Sequence, residues 1–209
     1  MSRIAGILLA AGGGSRYGMP KALAFTGGRL MSERALETLR NGGADPIVAV
    51  IGAAADKVRS TVDWGAAVII ENPLWVSGMG SSLRAGLSAL DGADIHGDDI
   101  HDADIGGDNI DAALILLVDT PGITAAAIER VANAARAGDA RQALLAASYG
   151  GQQGHPVLIG RSHWAGVAAS AIGDTGAKPH LRAHRDELRL IACDDIADGT
   201  DIDRPIARA

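Results

Sequence analysis

Residues Leu8 to Leu23 read LLAAGGGSRYGMPKAL, an apolar run that passes directly into a glycine-rich loop carrying Ser15, Arg16 and Lys21. A short apolar run closed by glycines reads as a buried strand. Gly12, Gly13 and Gly14 let backbone N–H groups turn inward without interference from Cβ atoms, forming a cradle suited to phosphate oxygens. Arg16 and Lys21 add fixed positive charge. Two better-defined phosphate motifs fail here: the Walker spacing GxxxxGK[ST] is absent, and GxGxxG breaks at Tyr17, where its third glycine should stand. Spacing alone leaves a purely structural turn open.

Working outward, apolar runs of strand length alternate with stretches of helical period. The order is a strand over 4–10, a helix over 32–41, a strand over 47–51, a helix over 54–62 and a strand over 67–70. There follow a helix over 81–90, a strong strand over 113–118, a helix over 124–137, strands near 143–148 and 156–159, and a last strand over 188–192. Strands alternating with helices predict an α/β protein with a three-layer, mostly parallel sheet, and ligands belong at the carboxyl ends of its strands.

Composition agrees. Hydrophobic residues make up 47% of the 209 residues and aromatics only 3%, so the core must be assembled from Ala, Val, Ile and Leu, the usual filling between helices and a parallel sheet. The length fits one core rather than two. The lone cysteine, Cys193, cannot form an internal disulfide, which points to a reducing, cytoplasmic home. No apolar run approaches the ~20 residues of a membrane helix, so no membrane span is expected. No Lys/Arg stripe is interleaved with aromatics, which argues against nucleic acid as a partner.

The formal charge of −6 is uneven, because residues 91 to 111 hold eight Asp and no Lys or Arg. Without them the chain carries a small positive excess and can accept an anion. Residues 93 to 112 repeat in fives, as ADIHG, DDIHD, ADIGG and DNIDA. The period resembles right-handed pentapeptide coils, but four copies close only about one turn, so an acidic loop inserted before the central strand is the favoured reading.

Five further blocks turn the glycine loop into a specific pattern. They are ENPLWVSGMGSSLRAGL at 71–87, LLVDTPGIT at 116–124, GQQGHPVLIGR at 151–161, GDTGAKPHL at 173–181 and DGTDIDRP at 198–205. With LAAGGGSRYGMPKAL at 9–23, the set resembles, in order, the molybdenum cofactor cytidylyltransferases and guanylyltransferases, and is most similar to the cytidylyl branch. The resemblance implies a Rossmann-like nucleotidyltransferase fold, one domain over 1–209 with the acidic repeat inserted at 91–112. It also implies transfer of CMP, or GMP, from a nucleoside triphosphate to the phosphate of molybdopterin with release of pyrophosphate.

Several site residues follow. Asp119 ends the strongest buried strand, where an open α/β sheet exposes its chemistry, although a helix cap or a turn residue before Pro121 reads the same way. The resemblance makes it the ligand of Mg²⁺. Mg²⁺ takes one or two carboxylates besides substrate phosphates, and Asp174 is the second acid chosen, with Asp203 as the alternative. Arg16 and Lys21 complete the catalytic charge. The nucleotide falls to Leu9, Ala10, Ala11, Gly12, Gly13, Gly14, Ser15 and Lys21, and to Ser81 and Ser82 at a helix start, where N-capping is the plainer role. CTP is the favoured triphosphate and GTP the alternative.

His155 is expected to orient the acceptor together with Asp174, since no second His stands at ligand spacing. His163, His180 and His184 show no convincing partner in the sequence. Against the family pattern stand Tyr17, Thr120, Gly122 and Arg204, all around the place where specificity is set. Other readings keep the chemistry but exchange the acceptor for a sugar or alditol phosphate, or make the chain a non-catalytic holder of the cofactor that docks on a molybdoenzyme. A nicotinamide dehydrogenase is disfavoured by the broken GxGxxG.

Overall fold

A short apolar run such as Ile4–Leu9, closed by glycines, suits a strand covered on both faces, and in the computed structural model it forms β1 near the middle of the sheet. The structure describes residues 2–92, 105 and 109–204. Along β1 the side chains alternate, Ile4 and Leu8 entering one core and Ala5, Ile7 and Leu9 the other. Two cores on opposite faces of one sheet make the three-layer α/β architecture read from the sequence.

After β1 come a two-stranded ribbon, β2 (Phe25–Thr26) and β3 (Arg29–Leu30), then α1 (Met31–Asn41), β4 (Ile47–Ile51), α2 (Ala55–Thr61) and β5 (Val68–Glu71). The second half adds α3 (Met79–Leu90), β6 (Ala112–Leu117), α4 (Ala125–Arg136), β7 (Leu144–Tyr149) and β8 (Gln152–Gly160). It ends with α5 (Trp164–Ser170), α6 (Lys178–Ala183) and β9 (Leu188–Ala192). Side chains of α1, α2 and α4 fill one core and those of α3, α5 and α6 the other. No helix among the described residues is long and apolar enough to cross a membrane.

The main sheet runs β5-β4-β1-β6-β8-β7-β9. All neighbours are parallel except β8, which is antiparallel to β6 and to β7. The sequence signal for β8 covered only 156–159. Its earlier start at Gln152 follows from Gly150 and Gly151, both at positive φ (56° and 74°), which close a hairpin onto β7.

Two features position the site. The chain leaves β1 toward β4 and returns through α3 to β6 on its other side, so the loops after β1 and β6 diverge at neighbouring carboxyl ends. Leu9 is in register with Leu117, the last residues of the two strands. After β9, the chain crosses back over the loop that follows β6: Asp198 N–H donates to Gly122 O and Ile202 N–H to Asp119 O, at 3.1 and 2.8 Å. The pentapeptide coil considered for 93–112 falls largely outside the described residues; Ile105 and Ile110 are buried in the core that holds α3.

Candidate active site

The loop after β1 is held open by its own backbone. Gly14 has φ +62°, and a Cβ there would stand 1.9 Å from Met19 O, so only glycine fits. Gly14 O accepts from Tyr17 N–H and Gly18 N–H, closing the turn that carries Arg16. At Gly13 a Cβ would lie 3.1 Å from the Trp75 ring, a tight contact that the ring would have to relieve by shifting. Gly12 has open space where its side chain would be.

Across the rim stands Asp119, two residues past β6. Its Oδ2 accepts from Lys21 Nζ at 2.7 Å, and the same ammonium reaches Asp203 Oδ1 at 3.0 Å. Arg16 pairs with the other Asp203 oxygen. Asp119 Oδ1 is buried with no hydrogen-bond partner among the described residues. Burial alone would lower the pKa of the Lys21 ammonium, but its hydrogen bonds to Asp119 and Asp203, and then their charge, raise it above its usual value. Asp203 is held below the ordinary carboxylate value, first by its hydrogen bond from Lys21 and then by the charge of that ammonium.

Asp119, Asp201 and Asp203 each offer an oxygen, and these lie within 4.8 Å of one another. Asp201 and Asp203 arrive there on the returning C-terminal segment, which Gly122 and Gly199 admit. A Cβ at Gly122 would meet Asp198 O at 2.5 Å, and one at Gly199 the Tyr149 ring at 2.3 Å. This set contains Asp203, the alternative second acid, and adds Asp201, which the sequence reading did not single out. The signal was the i, i+2 acid pair in DGTDID, which an extended segment turns to one side. Asp174 stands on another wall, where its Oδ1 accepts from Met79 N–H at 3.3 Å at the start of α3.

The resulting cleft encloses about 400 Å³. Leu9, Ala11, Gly12, Gly13, Gly14 and Ser15 line one side, with Arg16 and Lys21; Ser82, Asp119, Asp174 and Asp203 face them. Ala10 is buried in the core behind the loop. Ser81 is buried too, its hydroxyl donating toward Leu74 O and Gly78 O at 3.0 and 2.8 Å while Asn72 Nδ2 donates to it at 2.8 Å. Asn72 also holds the Ser82 hydroxyl, at 3.0 Å. Asn72 and Trp75 therefore shape this wall, although only the block ENPLW, and no residue in it, drew attention in the sequence.

A second cavity of about 370 Å³ continues from the first past Leu9, Met79, Leu117 and Asp174. His155 and Lys178 line it. His155 is half-buried, its Nδ1 3.3 Å from Ile115 O, and desolvation is the main reason its imidazolium is disfavoured, with the Lys178 charge adding to it. One carboxylate, Asp174, thus faces both compartments. Three further histidines, unpaired in the sequence, come together elsewhere: His163 Nδ1 lies 3.2 Å from His180 Nε2, and His184 stacks on His180.

Comparison with known proteins accords with this architecture. Residues 6–188 match the family model of the MobA-like NTP transferase domain. The chain is 34% identical over 208 residues to nicotine blue oxidoreductase of Paenarthrobacter nicotinovorans, covering 96% of this chain and 92% of that protein. Among solved structures, the homologue of Rv0371c from Mycobacterium sp. strain JC1 superposes with a TM-score of 0.76 at 26% identity, over 97% of this chain and 91% of that one. Rv0371c of Mycobacterium tuberculosis, solved as a complex with manganese, shares the fold with a TM-score of 0.68 at 23% identity, over 91% and 88% of the two chains.

Proposed function

The chain belongs to the MobA-like NTP transferase family and has a nucleotidyltransferase fold, and from that premise we propose that it transfers a nucleotidyl group, CMP in preference to GMP, to the phosphate of a molybdopterin-type acceptor. One observation carries this reading. A glycine cradle, two cations and a carboxylate with a buried, unpartnered oxygen share one cleft, and a second cavity opens from it.

The charges favour a metal. Lys21 and Arg16 are already matched by Asp119 and Asp203, and Asp201 adds a third carboxylate, so these side chains alone offer a triphosphate no net attraction. The orphan Asp119 Oδ1 fits a hard divalent cation, with Asp203 and Asp201 within reach of the same ion. We take the ion to be Mg²⁺, and the manganese complex of the structural relative Rv0371c is consistent with a divalent site. When bound, such an ion screens the phosphates and polarises the α-phosphoryl group.

The residues of the chain do the rest by alignment. Amides of Gly12 to Gly14 hold phosphate oxygens, while Lys21, released in part from Asp119, follows the charge that develops on the leaving pyrophosphate. His155, kept neutral, and Lys178 seat the acceptor phosphate in the second cavity. An oxygen of that phosphate attacks the α-phosphorus; the new O–P bond forms as the bond to the β-phosphate oxygen breaks. The attacking group is already largely ionised at neutral pH, so no general base is required.

A second reading rests on the relative named as an oxidoreductase at 34% identity. In it the same cradle holds the diphosphate of a nicotinamide dinucleotide. The two are separated by incubating the protein with each of the four nucleoside triphosphates and Mg²⁺, with molybdopterin or sugar phosphates, and measuring pyrophosphate; NADH and NADPH oxidation is followed in parallel with redox dyes. Metal-dependent pyrophosphate release with one triphosphate is expected. Consumption of reduced nicotinamide without any pyrophosphate overturns the transferase reading.

A further inference from the structure

His163 closes a short 3₁₀ turn, Arg161–His163, at the end of β8, whereas His180 lies in α6 and His184 caps it. The spacing of four puts the last two on one helical face. The tertiary fold brings the third ring onto them: centroids are 5.3 Å from His163 to His180, 5.6 Å from His163 to His184 and 4.0 Å from His180 to His184. His163 and His180 are buried.

The proton positions follow from the partners. His163 Nε2 faces Gln142 O at 3.1 Å, and a carbonyl only accepts, so the proton sits on Nε2 and Nδ1 presents a lone pair. His184 Nδ1 faces His180 O at 2.9 Å, so its proton sits on Nδ1 and Nε2 is the free base. His163 and His184 are thus each oriented by a backbone carbonyl through the nitrogen not offered to the cluster, as in histidines that ligate metals. His180 Nε2, 3.2 Å from His163 Nδ1, completes the set. Two nitrogens bound to a tetrahedral ion at 2.0–2.1 Å stand about 3.3 Å apart, so this pair already has the required span. One ligand atom from each of the three rings lies within 4.8 Å of the others.

We infer that His163, His180 and His184 form a binding site for one divalent transition metal of the zinc class, separate from the carboxylates of the cleft. Imidazole suits Zn²⁺, Co²⁺, Ni²⁺ and Cu²⁺, whereas Mg²⁺ and Mn²⁺ prefer oxygen, so the two sites select different ions. Burial, and then the neighbouring His184 and His163, hold the His180 imidazole below its usual range, which leaves it neutral and able to ligate near pH 7. The exposed Glu187 beside it opposes that shift only in part. On binding, the proton of His180 moves from Nε2 to Nδ1, so three neutral ligands form with no net proton loss. The space is protected as well, because a Cβ at Gly166 would lie 2.6 Å from the His180 ring. The ion would tie α6, which gives Lys178 and Leu181 to the second cavity, to the turn after β8.

The test is Zn²⁺ titration of chelator-stripped full-length protein against a chromophoric competitor. One tight equivalent is expected, retained in the Asp119→Asn/Asp203→Asn double variant and weakened more than ~100-fold in His163→Gln and His184→Gln, beyond the 10- to 100-fold typical of losing an outer partner. Co²⁺ should give the intense visible absorption of a four-coordinate, nitrogen-rich site in the wild type and the carboxylate variant, and none in His184→Gln. Circular dichroism of the metal-free His184→Gln protein checks its fold, which the partly exposed position should preserve. Zn²⁺ binding that disappears with the carboxylates, or that ignores both His variants, shows the triad to be a hydrogen-bonded packing cluster and overturns the assignment.

Discussion

Lys21 and Asp119, 98 residues apart in the chain, meet at 2.7 Å through Oδ2, while the other oxygen of the same carboxylate is buried with no partner among the described residues. One half of Asp119 is therefore neutralised, and the other half is left for something positive that none of the described residues provides. A buried carboxylate oxygen without a partner is costly. Its persistence beside a glycine cradle is what ties this rim to phosphate chemistry.

Asp119→Asn keeps a carbonyl oxygen for Lys21, which also retains Asp203, so the fold should stand. Turnover should fall by ~10²- to 10³-fold, the usual result of deleting one electrostatic contact to the transition state. The stabilisation that a triphosphate with Mg²⁺ gives the native protein should vanish as well. Thermal melting with and without metal and nucleotide reads both; an unchanged metal-dependent shift would remove Asp119 from the metal site.

The Lys21–Asp203 pair should shape stability at both ends of the pH range. Asp203 titrates below its ordinary 3.8 in the folded state, so its contribution is present above about pH 4 and is lost as pH falls through the folded value. Lys21 titrates above its ordinary 10.5, so its contribution is present below that pH and is lost as pH rises through the folded value. Lys21→Met should flatten both limbs of a plot of urea midpoint against pH. Limbs identical to those of the wild type would mean the pair is not formed in solution.

Two glycines of the same loop, Gly14 and Gly12, should respond in opposite ways. Gly14→Ala forces a side chain into a left-handed backbone and onto Met19 O, and should cost on the order of 1–3 kcal/mol from conformation alone, with the clash added. Gly12→Ala meets no neighbour within 4 Å and should melt like the wild type, yet it places a methyl group in the cleft and should raise the KM for nucleotide several-fold. Melting curves and initial rates separate the pair.

His155 is half-buried with its imidazolium disfavoured, chiefly by desolvation. Its folded-state value lies below the ordinary 6.5, so the unfolded chain binds the extra proton first and stability declines as pH falls below about 6.5. His155→Gln should lessen that decline and raise the KM for the acceptor while leaving the KM for nucleotide near its original value. A rise confined to the nucleotide term would move His155 out of the acceptor cavity.

Much of this was legible in the chain itself. β9 has the bounds expected of it, the strand before Asp119 lies within one residue of the expected 113–118, and the glycine loop follows the first strand as the apolar run placed it. The antiparallel β8 was half seen, because its first residues, QQGHP, carry no apolar alternation, and it was the turn at Gly150 and Gly151 that committed them to the sheet.

The sequence alone determined the local events: which runs leave water as strands, which glycines let the backbone turn, and which short blocks bear charge beside them. Those are decided by neighbours a few residues away. Only the tertiary structure decided which acids join Asp119 and that three scattered histidines meet. The DGTDID segment is held at the site where Ile202 bonds Asp119, and His163, in the turn after β8, meets α6 through His180. Such meetings depend on crossover direction and strand order, which are fixed by how whole layers bury their faces, and no spacing along the chain encodes them.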